Sequence, residues 1–112
     1  RPRNLMVKPL TPQQLHVIAE RFKALGEPSR LEILSALTRG ERTVTQILEA
    51  TGLGQANVSK HLQVLYSAGF VQRRKEGLSI YYRLADGDVL RLCDLMCGRL
   101  EREAAVKKKL FT

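Results

Sequence analysis

The feature that most constrains the fold is a series of apolar stripes at helical spacing, each followed by a glycine. The first stripe occupies positions i, i+3, i+4, i+7 and i+10: Leu15, Ile18, Ala19, Phe22 and Leu25. This spacing predicts an amphipathic helix, and Thr11 before it is a favourable N-terminal cap. The glycines that follow the successive stripes are Gly26, Gly40, Gly52 and Gly69. Because glycine commonly ends helices, we expect four helices up to Gly69.

The period of the pattern changes after Gly69. Residues 70–74 and 79–83 have the composition of strands, and the segment 75–78 between them contains a glycine, which predicts a β-hairpin. A last helix is expected from about Val89 to Lys109, because the acidic residues just before it favour a helix start. The predicted fold is therefore mainly α with a small β-hairpin (α+β) and contains five helices.

Length and charge narrow the function classes. A chain of 112 residues suits one domain with one core, and we expect a basic arm at 1–10, the domain at 11–109 and a short tail at 110–112. The net charge of +8 favours a polyanionic partner, either a nucleic acid or an anionic membrane surface. No apolar run approaches 18 residues and the N-terminus is polar, so we expect a cytoplasmic protein with no membrane partner.

The third and fourth predicted helices carry the functional prediction. A short helix, a tight turn at Gly52-Leu53-Gly54 and a longer helix over roughly Gln55–Ala68 are typical of a helix-turn-helix. A basic hairpin directly after such a motif is typical of a wing. The second helix of the motif enters the major groove, where the donor and acceptor patterns of the four base pairs differ. We therefore predict a winged helix-turn-helix protein that binds double-stranded DNA.

Two groups of side chains are candidates for contacting the DNA. The candidates for reading bases are Gln55, Asn57, Ser59, Lys60 and His61. Amides pair with adenine and lysine suits guanine or phosphate, while Val58 and Leu62 between them are expected to face inward. The candidates for contacting the phosphate backbone are Arg73, Arg74, Lys75 and Arg83. The alternative is that these residues form ordinary solvated surface.

Three segments resemble sequence signatures of the ArsR/SmtB-type transcriptional repressors. Residues 24–34 (ALGEPSRLEIL) resemble the opening signature, residues 55–62 (QANVSKHL) resemble the recognition helix, and residues 77–82 resemble the wing. The resemblance covers roughly residues 15–100 and keeps the order of the three segments. It implies a homodimer with the first and last helices at the interface, and a repressor that an effector releases from its operator. Effectors in the family are metal ions or metalloids, and for some members oxidants or reactive sulfur.

Both metal sites that the resemblance implies are altered in this chain. The thiol site of the third helix matches Thr43-Val44-Thr45, and hydroxyls are poor ligands for soft ions. The zinc site of the last helix matches four positions that include neither of the family's histidines: Asp86, Asp88, Leu100 and Glu103. Tight zinc binding is therefore not expected.

Cys93 and Cys97 remain as candidates for an effector site. Their spacing places the Cβ atoms about 5–6 Å apart on one helical face, which is wide for a disulfide but suits two metal–sulfur bonds of about 2.3 Å. No cofactor is certain, but a thiophilic ion such as As(III), Hg(II) or Cu(I) fits, and arsenite would take a third sulfur from the partner subunit. Two alternatives stay open: a switch that senses oxidants or reactive sulfur through the same thiols, and a regulator without a small-molecule effector whose cysteines only pack.

Enzymatic activity is not expected. The chain contains no HExxH, Walker or GxGxxG pattern and no Ser-His-Asp arrangement. The two cysteines have the spacing Cys-x-x-x-Cys, which is not that of the redox motif Cys-x-x-Cys. We therefore predict a binding protein.

Overall fold

The computed structural model describes residues 9–111, so most of the predicted basic arm and Thr112 lie outside the described residues. The helices and strands in chain order are α1 Pro12–Leu25, α2 Pro28–Ala36, β1 Arg42–Thr43, α3 Val44–Thr51, α4 Gln55–Ser67, β2 Val71–Glu76, β3 Ser79–Leu84 and α5 Asp88–Phe111. The predicted five helices and the hairpin are confirmed. Helix α5 continues through Phe111, so residues 110 and 111 extend the helix instead of forming a tail.

Short-range hydrogen bonds determine where α1 and α3 begin. The Thr11 hydroxyl accepts the backbone N–H of Gln14 at 3.1 Å, and the Gln14 side chain accepts the N–H of Thr11 at 2.9 Å. Thr43 and Gln46 repeat this reciprocal capping box at 3.2 and 2.9 Å. Because each box satisfies two N–H groups that lack an intrahelical partner, both helix starts are encoded within four residues of sequence.

The sheet has three antiparallel strands in the order β1-β3-β2. The β2–β3 hairpin pairs Val71 with Leu84 at one end and Glu76 with Ser79 at the other. The connecting turn is two residues long, shorter than the predicted segment 75–78, and Gly77 adopts the left-handed φ of +62° that such a turn needs. Strand β1 was not predicted, because a two-residue strand carries no detectable period.

The core lies between α2, α3, α4 and the sheet. Helix α4 contributes three side chains with no exposed surface: Val58, Leu62 and Leu65. The other buried members of this cluster are Ile33, Leu34, Leu37, Ile47, Val71, Tyr82 and Val89. One side of α4 is therefore anchored in the core along its length, which leaves the opposite side at the surface.

The apolar residues of α1 and α5 lie mostly outside this core. On α1, Leu15 is 51% exposed and Phe22 is 56% exposed. On α5, only Val89 is buried, and the exposed apolar residues are Leu92, Leu95, Met96, Leu100, Val106, Leu110 and Phe111. Within residues 9–111 no helix is both long and apolar enough to cross a membrane.

Candidate nucleic-acid interface

The turn between α3 and α4 has the geometry of a helix-turn-helix. Gly52 ends α3 with a left-handed φ of +73°, and its N–H donates to the Leu48 carbonyl at 2.8 Å. Gly54 then precedes α4 in an extended conformation and provides no side-chain cap. The first backbone N–H groups of α4 therefore remain open at the positive end of the helix dipole, where a phosphate oxygen binds favourably.

Four of the five predicted base-reading residues lie together on the surface of α4. Gln55, Asn57, Ser59 and Lys60 are all exposed, and we call them the polar face. At 100° per residue, Asn57 and Ser59 point to either side of the buried Val58, and Lys60 points almost directly away from it. The polar face thus extends beyond the domain on a helix whose other side is fixed.

His61 does not belong to this exposed group, contrary to the expectation from the sequence. Its side chain is only 14% exposed and lies against α2. The ring Nδ1 is 3.2 Å from Nη1 of Arg30, and Nε2 is 3.6 Å from Oε2 of Glu27. The reason is helical geometry, because His61 follows the buried Val58 by three residues and so points to the same side of α4.

Arg74 is held by neighbouring carboxylates. Its Nε is 3.0 and 3.1 Å from the two carboxylate oxygens of Glu41, and its Nη1 is 3.2 Å from Glu76. The guanidinium also lies over the ring of Tyr81, 4.5 Å from its centroid. Hydrogen bonding to Glu41 raises the pKa of Arg74, and the same contact lowers the pKa of Glu41. Two carboxylates therefore compensate its charge at the surface of the sheet, and its contact with the phosphate backbone stays a prediction.

Arg73 connects the hairpin to α4. Its guanidinium stacks on Tyr66 of α4, 3.9 Å from the ring centroid, and Tyr82 raises the pKa of Arg73. Such a stacked arginine holds two elements together through a cation–π interaction. Arg73 is therefore placed to orient the wing relative to α4.

Four of the predicted DNA-contacting cations have no ion pair within 4 Å among residues 9–111, and three of these also stack on no aromatic ring there: Lys60, Lys75 and Arg83. Lys75 pairs across the hairpin with Ile80, and Arg83 pairs with Gln72. Because residues paired across antiparallel strands share a face, Lys75 and Arg83 lie on opposite faces of the wing. We call Lys60, Lys75 and Arg83 the free cations.

The comparisons with known proteins agree with this geometry. Residues 27–73 match the bacterial regulatory protein arsR family. The chain is 39% identical over 89 residues to a probable mercury resistance operon repressor of Streptomyces lividans, covering 79% of this chain and 71% of that protein. The chain belongs to the ArsR family. The relatives and the fold are those of DNA-binding transcriptional regulators rather than enzymes, as predicted.

Solved ArsR-type structures share the fold. A homodimeric winged helix-turn-helix DNA-binding domain from Mycobacterium bovis has a TM-score of 0.73 and 38% identity, covering 88% of this chain and 94% of that one. The AntR antimony-specific transcriptional repressor also has a TM-score of 0.73, with 31% identity over 90% of this chain and 93% of that one. The chain spans only 36% of the length of an HTH-type transcriptional regulator of Mycobacterium tuberculosis, to which it is 45% identical over 82 residues.

The cysteines of this ArsR-family chain lie on α5. Cys93 is half-buried, Cys97 is exposed, and both are free thiols. Within residues 9–111, no group of three or more His, Cys, Asp or Glu side chains is arranged to hold a metal ion. The described part of one protomer therefore offers two thiols one helical turn apart and no group of three such ligands.

The altered zinc positions of the last helix have structural roles. The Asp86 carboxylate accepts the backbone N–H of Asp88 at 2.9 Å, at the start of α5. Glu103 accepts a hydrogen bond from Arg99 at 3.3 Å. In this structure these carboxylates therefore cap a helix end and form an i,i+4 pair.

Proposed function

We propose that this protein is an ArsR-type repressor that binds operator DNA as a homodimer, with the N-terminal half of α4 in the major groove. The observation that carries the proposal is the polar face, which is exposed while Val58 and Leu62 behind it are fully buried. A helix buried on one side in this way presents its amide and ammonium groups outward from the domain, where base edges can be reached. The free cations and the open N-terminus of α4 add contacts to the phosphates on either side.

Asn57→Ala is expected to weaken binding to the specific duplex by about 5- to 150-fold, which corresponds to about 1–3 kcal/mol. The asparagine amide pairs with adenine through two hydrogen bonds, and alanine removes both while favouring the helix. The test selects a preferred duplex from a randomised library with the wild-type protein. Fluorescence anisotropy then measures affinity for that duplex and for a scrambled duplex of equal length and composition.

The matched control for this test is Gln63→Ala, which removes an exposed amide from the C-terminal half of α4. It should leave both affinities unchanged. Loss of affinity by Asn57→Ala that is equal on the selected and the scrambled duplex would show that α4 does not read bases.

The proposed dimer forms through α1 and α5. Support comes from the apolar side chains that the single chain leaves exposed on both helices, including Phe22 at 56% and Leu100 at 55%. Burying such side chains against a second copy removes apolar surface from water, which is the main driving force for stable dimers. The homodimeric state of the Mycobacterium bovis relative also supports this arrangement.

The proposed effector is a thiophilic ion, such as As(III), that binds Cys93 and Cys97. The two thiols lie one turn apart on α5, and thiolates are the ligands that soft ions prefer. The names of two relatives support this proposal, because one is a probable mercury resistance operon repressor and the other is an antimony-specific repressor. Because α5 is also the proposed dimer helix, the partner's α5 is the natural source of a third sulfur.

Arsenite or Hg(II) is expected to weaken binding to the selected duplex by about 5- to 150-fold, which is the usual range of allosteric coupling. Zn(II) is expected to weaken this binding much less. Cys93→Ser and Cys97→Ser should each abolish the response, because a hydroxyl is a poor ligand for soft ions. Glu101→Gln, at an exposed polar position one turn beyond Cys97 on α5, is the control and should keep the response.

Each other result of the same titration has a definite meaning. Release by peroxide or polysulfide, without any response to the ions, would favour oxidant or sulfur sensing through the same thiols. Release by arsenite that survives both serine substitutions would place the effector site elsewhere.

A further inference from the structure

Arg30 joins three helices behind the polar face. Its Nε donates to the Ala24 carbonyl at 2.6 Å, and its Nη2 donates to the Lys23 carbonyl at 3.4 Å. Both carbonyls belong to the last turn of α1, and that of Lys23 also accepts the backbone N–H of Gly26 at 3.2 Å. The remaining arm of the guanidinium, Nη1, lies 3.2 Å from Nδ1 of His61 on α4. One side chain of α2 therefore contacts the end of α1 and the middle of α4.

The two nitrogens of the His61 ring face different partners. Arginine only donates hydrogen bonds, so its contact with Nδ1 is a hydrogen bond in which the imidazole accepts. Nε2 on the other side of the ring faces the Glu27 carboxylate at 3.6 Å. The same carboxylate oxygen accepts the backbone N–H of Arg30 at 3.1 Å and so caps α2. His61 is thus held from two sides by residues at the start of α2.

The contact between Arg30 and His61 restricts the rotation of α4 about its own axis more sharply than the apolar core does. Val58, Leu62 and Leu65 bury one side of α4, and close packing resists large shifts of the helix, but apolar contacts are non-directional and define its rotation less sharply than hydrogen bonds do. The planar guanidinium, by contrast, bonds only along its fixed N–H directions. Recognition of base edges requires side chains held within about 10–20° of the productive orientation.

We propose that Arg30 and His61 are positioning residues that fix the rotation of α4 about its axis and so aim the polar face at the bases. This inference rests on the proposed function, in which that face reads DNA. Arg30 also holds the C-terminal end of α1, which carries an exposed apolar stripe in the proposed dimer interface. The same side chain therefore connects the dimer helix to the reading helix.

Four variants test the inference: His61→Leu, His61→Gln, Arg30→Lys and the double variant Arg30→Lys/His61→Leu. Leucine removes the acceptor, glutamine retains one, and lysine keeps the charge of Arg30 but lacks the fork of donors. Affinities are measured for the selected and the scrambled duplex, and thermal melting is recorded for each variant. Matched controls are His16→Leu and Arg39→Lys, at exposed positions.

We expect His61→Leu and Arg30→Lys each to lose about tenfold in affinity for the selected duplex and much less for the scrambled one, because the free cations are untouched. His61→Gln should recover most of the loss. The double variant should bind no more weakly than whichever single variant binds more weakly, since both substitutions break the same contact between Arg30 and His61. The two controls should bind as the wild type does.

Three results would overturn the inference. In the first, His61→Leu lowers the melting temperature but leaves the ratio of the two affinities unchanged, which means a structural role only. In the second, the losses of the two single variants add in the double variant, which means that the residues act independently. In the third, the wild type itself does not distinguish the two duplexes, which contradicts the proposed function and removes the inference with it. The first two results leave the proposed function intact.

Discussion

DNA binding is expected to weaken about a thousandfold between roughly 50 mM and 200 mM salt. Among residues 9–111, the predicted DNA contacts of each protomer include the free cations Lys60, Lys75 and Arg83, and the proposed dimer presents them twice. Each phosphate contact releases condensed counterions, so the logarithm of affinity should fall with the logarithm of salt concentration at a slope of about −5. Anisotropy titrations on the scrambled duplex measure this slope without any contribution from base recognition.

Substitutions at two neighbouring positions of the wing test whether only cations without a carboxylate partner contribute to the salt dependence of DNA binding. Lys75→Gln should flatten the slope by about 2, because the dimer loses two phosphate contacts. Arg74→Gln is the matched comparison and should leave the slope unchanged, because Glu41 and Glu76 already compensate the charge of Arg74. Equal flattening by both variants would mean that Arg74 leaves its carboxylates to bind DNA, and an unchanged slope with Lys75→Gln would remove the wing tip from the interface.

Leu62→Ala is expected to lower the free energy of unfolding by about 2–5 kcal/mol. Leu62 has no exposed surface and lies in the cluster formed by α2, α3, α4 and the sheet, so alanine leaves a cavity that the surrounding elements fill only in part. A domain of this size is stable by about 5–15 kcal/mol, so the loss is a large fraction of the total. Urea unfolding at one fixed protein concentration measures it, because a dimer's stability depends on concentration.

Leu78→Ala is the control for this substitution. Leu78 lies in the hairpin turn with a relative exposure of 102%, and its truncation should change stability by less than about 0.5 kcal/mol. Similar losses for the two leucines would contradict the placement of α4 on the core. A stable Leu62→Ala variant that still prefers the selected duplex would show that this leucine is not needed to hold the polar face.

Much of the fold and part of the interface could be predicted from short stretches of sequence. The capping residues Thr11 and Thr43 act within four residues, and the stripe on α1 repeats within one or two turns. The exposure of Asn57 and Lys60 follows from the same periodicity, because Val58 and Leu62 define the inner side of α4. The interactions that decide these features are all close along the chain.

The roles of individual charged residues could not be predicted in this way. Arg74 and Glu41 are 33 residues apart, and nothing in their spacing distinguishes Arg74 from Lys75 as a candidate for phosphate contact. His61 looks like a member of the polar face because its neighbours are polar. Its actual partner, Arg30, is 31 residues away on α2.

The sequence by itself determined the order and type of the main elements, the two capping boxes, the hairpin and the helix that carries the polar face. Only the tertiary structure decided which cations remain free, where His61 points, and that Arg42 and Thr43 form a third strand beside β3. The physical reason is the separation along the chain of the residues that interact. Helical periodicity and caps arise from contacts within a few residues, whereas partners such as Arg30 and His61 depend on how whole helices pack, and no local pattern encodes that geometry.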